Sequence, residues 1–155
     1  MSKLILISLL FIPNLFMAQT IKVHVTEAKR HMKWGEIDDV NEVLNKPDDS
    51  FNKKTINCFY EFDLEQKTST FWSISGNIEP ITLPISDITN NGDKYVIKFT
   101  SYGDIDASFT YPVTIYVDIG KESMIYSKYD PYMGRSFAHK LKSTVDLIET
   151  TASNP

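Results

Sequence analysis

The chain has 155 residues, and its 16 Lys and Arg against 20 Asp and Glu give a formal charge of −4. That balance argues against tracking a nucleic-acid backbone, which needs a concentrated positive surface, and Lys53-Lys54 with Lys140 and Lys142 are too few and scattered to supply one. The length suits one domain able to bury about two thirds of its unfolded surface without metal or disulfide staples, and a lone Cys58 rules out an internal disulfide.

Residues 1–18 run from a basic start at Lys3 through the apolar stretch Leu4 to Phe11 and a break at Pro13-Asn14 to Ala18. This order of charge, apolar core and small residue predicts a secretory signal peptide cut after Ala18. The uninterrupted apolar run is too short for a helix that crosses a bilayer, which takes about 20 residues. Residues 19–155 are expected to form a single β-rich domain with a polar tail from about 151, secreted or periplasmic, with no stable membrane span.

Thr20 to Glu27 alternates, with Ile21, Val23 and Val25 on one side, and predicts a half-buried first strand. The charged stretch from Ala28 to Ser50 admits either a short helix over 38–44, with Asp38 or Asp39 near its cap, or a long surface connection. The two-residue period then returns over 55–63, 68–75, 94–102, 112–119 and 124–129. Asn90-Asn91-Gly92-Asp93 fits a tight antiparallel reversal, and Gly120 to Ser123 can close another. Returns this short leave no room for the crossovers that parallel strands require. The segment 78–88 also alternates, but Pro80 and Pro84 cannot donate to a ladder, which assigns it to a sheet edge or just outside. Finally, Phe137, Leu141, Val145 and Ile148 fall on one helical stripe behind Ser136, which predicts a closing helix over 137–150.

The expected fold is therefore mainly β: a small antiparallel β-sandwich or partly closed β-barrel of six to eight strands with a C-terminal helix. Within it, Cys58 alternates with Ile56, Tyr60 and Phe62 and reads as a small buried hydrophobe rather than a nucleophile. His24, His31 and His139 lack the mutual spacing of a zinc site, and no cofactor is indicated. Asp104 and Asp106 share a side if extended, but the oxygen-dense loop of a calcium hand is missing.

Two tryptophans, eight tyrosines and nine phenylalanines are the signal with functional reach. Aromatics suit strands and cross-strand pairs. Yet several strands are apolar on both faces, as where Tyr116 opposes Ile115 and Val117, so each face needs a cover: a second sheet, the closing helix or a bound molecule. Tyr and Trp join apolar area to a polar handle, which suits a pocket or a contact. The leading expectation is an exported noncatalytic binding or cell-envelope interaction protein. It would hold a small apolar ligand or a protein partner around Trp72, Tyr116 and Tyr126. The alternatives are a small secreted hydrolase or lyase using Asp104 and Asp106, and a structural or assembly subunit meeting a partner through Cys58 or the edge near Pro80 to Ile88.

Overall fold

A computed structural model describes residues 17–46, 52–102 and 108–151. The expected leader, apart from Met17 and Ala18, lies outside the described residues, as do Asp104, Asp106 and the tail beyond Thr151. Strands β1 (Met17–Trp34), β2 (Asn52–Asp63), β3 (Thr68–Ser73), β4 (Ile78–Asn91), β5 (Lys94–Tyr102), β6 (Thr110–Asp118), β7 (Ser123–Asp130) and β8 (Arg135–Thr151) run in chain order, with one helix, α1 (Asn41–Leu44), between β1 and β2.

Each strand pairs antiparallel with the next, and β8 returns to pair with β1, so the sheet closes as an eight-stranded up-and-down barrel. Closure gives most backbone donors and acceptors a neighbour on both sides, which removes the edge problem of an open sheet. The reversals carry their own chemistry. Gly92 takes a φ of +63° between Asn91 and Lys94, a turn the sequence announces. At three other reversals an aspartate ends the strand and its Oδ1 accepts turn N–H groups: Asp63 from Glu65 and Gln66, Asp118 from Lys121, and Asp130 from Tyr132 and Met133.

Residues 137–150 are not a helix but most of β8. They satisfy two periods at once, since Phe137, His139, Leu141, Ser143, Val145 and Leu147 also alternate. The backbone context decides between them. β8 pairs with β7 from Ser123↔Lys142 to Asp130↔Arg135 and with β1 from Met17↔Thr151 to Trp34↔Arg135. As a helix the segment would leave β1 and β7 as open edges. Ser136 accordingly caps no helix, and its buried Oγ donates to the Gly35 carbonyl at 2.7 Å.

The proline-containing strand β4 lies within the ring, but its two sides differ. Toward β3 it pairs from Thr68↔Pro84 to Phe71↔Ile81, whereas toward β5 the ladder begins only at Ile85↔Phe99. Ile85 N–H donates to the Lys67 carbonyl on the β3 side. Because successive nitrogens alternate, that of Pro84 faces β5, where no ladder forms, and Pro80 falls where the β3–β4 register shifts between Ile81 and Ile78. A missing donor at Pro84 therefore leaves no ladder bond unmade.

β1 crosses the whole barrel and keeps its apolar residues inward by a bulge between Val25 and Glu27, present in both of its ladders. Ile21, Val23 and Val25 point inward before it, and Ala28 packs against the same core after it.

Candidate ligand-binding site

The barrel has two unlike ends. At the end carrying the β2–β3, β4–β5 and β6–β7 turns, Ile21, Val23, Phe62, Tyr95, Ile97, Val117, Met124 and Val145 fill the interior and are buried. At the other end, where β1–β2, β3–β4, β5–β6 and β7–β8 connect, the interior is a cavity of about 750 Å³. That lies within the roughly 300–1,000 Å³ of small-molecule sites. An eight-stranded barrel is the size at which side chains either fill the interior or leave room for one small ligand. This chain does each at a different end.

The cavity lining is segregated around the ring. Phe71, Ile78, Ile81, Leu83 and Phe99, on β3, β4 and β5, form an apolar wall. Opposite, β1, β7 and β8 present Arg30, Tyr126, Lys128, Asp130 and His139 with Phe137 among them. The Arg30 guanidinium lies 4.4 Å from the centre of the Phe137 ring, and Lys128 Nζ lies 3.8 Å from that of Tyr111, both cation–π contacts. Between the walls stands Tyr60, tilted against Phe71 with ring centres 4.9 Å apart. Burial drives its hydroxyl pKa far up, with further upward push from Tyr126 and Cys58, so it stays protonated as a donor. His139 stacks on Tyr126 at 5.9 Å, and burial first, then the Arg30 charge, lowers its pKa from the ordinary 6.5. A neutral imidazole results at pH 7.

Where β4 and β5 part, Ile78, Ile81 and Tyr102 line the cavity and are also exposed. Above the mouth, Phe109 and Tyr132 meet edge to face at 4.7 Å and Tyr132 reaches Tyr111 at 6.1 Å. Trp34, Tyr132 and Met133 are all more than half exposed, at 72%, 58% and 55%. The rim of the open end is therefore apolar and wet, unlike the sealed end.

No family model matches the chain, and neither curated proteins nor solved structures give a match.

Of the aromatic residues singled out from the sequence, Tyr126 lines the cavity, but Tyr116 and Trp72 do not. Both lie on the outer wall, because each is one residue out of phase with an inward neighbour. Tyr116 packs under the β1–β2 connection, where Val43 of α1 is fully buried with Ile125 and Ala138 and flanked by Ile37 and Val40. Burial and the nearby Asp39 and Asp38 raise the Tyr116 pKa, as expected beneath such a cover. The strap is held by a Lys33–Glu42 ion pair and by Gly35 N–H donating to the Gly134 carbonyl at 2.8 Å. Trp72 stacks on Phe59 at 5.2 Å, and Phe59 on His24 at 4.4 Å, a ladder across β1, β2 and β3. The two-faced strands thus have two covers, the strap and this stack.

Sequence reasoning missed Arg30, Tyr60, Lys128 and His139 as neighbours. His139 falls within the expected closing helix, and as part of β8 it lines the cavity instead. Arg30 sits in a stretch read as a connection, which the structure shows to be the end of β1. Cys58 is buried, with Sγ donating to Ser73 Oγ at 3.2 Å, far into the wall rather than at a partner surface. Among the described residues no three His, Cys, Asp or Glu side chains gather as a metal site. No helix among them is long and apolar enough to cross a membrane.

Proposed function

We propose that this protein is an exported, noncatalytic binding barrel that carries one small, mainly apolar molecule in its open end. The observation that carries the reading is the cavity of about 750 Å³, continuous with an apolar wall and backed by a fully packed floor. A core left unfilled at one end forfeits burial that larger side chains would supply, which favours an occupant there. The acid on the lining, Asp130, supports binding over catalysis, because its Oδ1 accepts two turn N–H groups at 3.0 and 3.1 Å. Export rests on the basic and apolar order of the first eighteen residues.

Titration with an apolar fluorophore whose emission rises on leaving water tests the carrier reading. The expected result is saturable one-to-one binding that a Leu83→Trp substitution, which fills the apolar wall, weakens at least tenfold. Circular dichroism of the variant verifies the barrel. Absence of saturable binding by the folded wild-type chain ends the reading. Mass spectrometry of material from its native host reads the export step as a start at Gln19.

A further inference from the structure

Three cations, Arg30, Lys128 and Arg135, stand on the adjacent strands β1, β7 and β8 at the open end. Among the described residues none of them makes an ion pair, and each instead meets groups that cannot match a full charge. Arg30 and Lys128 lie over Phe137 and Tyr111. Arg135 lies 4.8 Å from the Phe137 ring centre and donates to the thioethers of Met32 and Met133, which are weak acceptors. Its Nε is buried with no partner. Asp130 could neutralise one of them, but its carboxylate is turned into the β7–β8 reversal.

Phe137 ties these groups together. The Arg30 guanidinium rests on its ring, and Lys128 is its cross-strand partner in the β7–β8 ladder. Arginine held on an aromatic face keeps its planar fork of donors available at the edge, and stacking costs it less hydration than an ammonium would lose. Across the cavity the wall is Phe71, Ile81, Leu83 and Phe99, with no charged side chain. A wholly apolar ligand would satisfy that wall and leave the opposite one with charged donors facing carbon. A small inorganic anion would do the reverse.

We propose that the occupant is a single-chain amphiphile with an anionic head, a carboxylate in its simplest form. The tail lies against Phe71, Ile81, Leu83 and Phe99, and the head is held between Arg30 and Lys128 at the mouth. The proposal rests on the carrier reading and adds the charge and polarity of the cargo. Charge-assisted hydrogen bonds from a guanidinium and an ammonium supply selectivity for the anion, while tail burial supplies affinity common to any chain of equal length.

Calorimetric titration of the folded chain with decanoate, 1-decanol and decyltrimethylammonium separates these contributions, since the tails are alike and only the heads differ. Decanoate is expected to bind roughly tenfold or more tighter than decanol, with the ammonium weakest. That preference is expected to shrink as salt screens the mouth and to collapse toward unity in the Arg30→Met/Lys128→Met double variant. Equal affinity for acid and alcohol overturns the anionic head and leaves the carrier standing. Failure of all three ligands to bind overturns both. A preference that survives in the folded double variant removes Arg30 and Lys128 from the role. Should that variant not fold, a wild-type preference indifferent to salt overturns the proposal equally.

Discussion

The two ends of the barrel share the same eight strands, yet one is solid and the other hollow. At the sealed end the inward positions hold residues that meet across the axis: Phe62, Ile97, Val117 and Met124 pack with Ile21, Val23 and Val145. At the open end the inward residues are larger on average, with Tyr60, Phe71, Phe99, Tyr111, Tyr126 and Phe137, and still leave space. Side-chain size therefore does not decide filling here. The walls do: β1 and β8 stay paired for their full length, while β3 ends at Ser73 and β4 parts from β5 beyond Ile85. A tall wall faces a low, partly unzipped one, and rings that cannot reach across line the void.

The largest test of this contrast is a matched pair of substitutions. Phe62→Ala removes a fully buried ring from the sealed end and is expected to cost about 3–5 kcal/mol, the range for a buried Phe truncated to Ala. Phe71→Ala removes a ring that already faces the cavity, so no new void forms around it, and roughly half that loss or less is expected. Urea midpoints at constant slope give both numbers. Equal losses would mean that the open end is as tightly packed as the floor and would break the comparison.

A middle-sized effect lies outside the barrel. Val43 is fully buried between the strap and the outer faces of β7 and β8. Val43→Ala is expected to destabilise by about 2 kcal/mol or less, because the strap relaxes more readily than a barrel core. Proteolysis is expected to quicken within 35–46 while the barrel stays intact. If instead cleavage spreads to the strands, the strap belongs to the same cooperative unit as the sheet.

Much of the ring was legible in the sequence because its rules are local. Alternation located Ile21, Val23 and Val25, and Gly92 marked its reversal. The closing strand was not legible, since Phe137, Leu141 and Val145 obey both the helical and the extended period. Pairing with β7 and β1 chooses between them, and the β1 partners lie more than a hundred positions away, where they leave no local trace. The site inherits that limit. Tyr126 lines the cavity, on a strand that the two-residue period locates. Tyr116 was judged by its chemistry, although the strap that covers it comes from a segment too charged to announce a packing role. Arg30 and His139 face each other in the β1–β8 ladder, and neither half of that pair was extended in the sequence reading.

The smallest effect reaches into the polar wall itself and carries a definite sign. His139 has its pKa lowered from the ordinary 6.5, by burial first and by Arg30 second. Above pH 6.5 the imidazole is neutral in the folded and unfolded chain alike, and its full contribution to stability is present. As pH falls below that value the unfolded chain takes up a proton that the folded barrel resists. Stability is therefore lost until the pH has passed the depressed folded value. One proton limits the slope to about 1.4 kcal/mol per pH unit. His31 acts in the same direction, its pKa lowered by burial and then by Lys46, so the wild-type slope contains both. Urea unfolding of wild type and His139→Gln between about pH 7.5 and 5.5 isolates the inner histidine, because His31 and the carboxylates are common to both chains. The variant is expected to lose less stability than wild type on acidification. An equal loss would place the His139 ring in contact with bulk water, and the polar wall would then be as open as the rim above it.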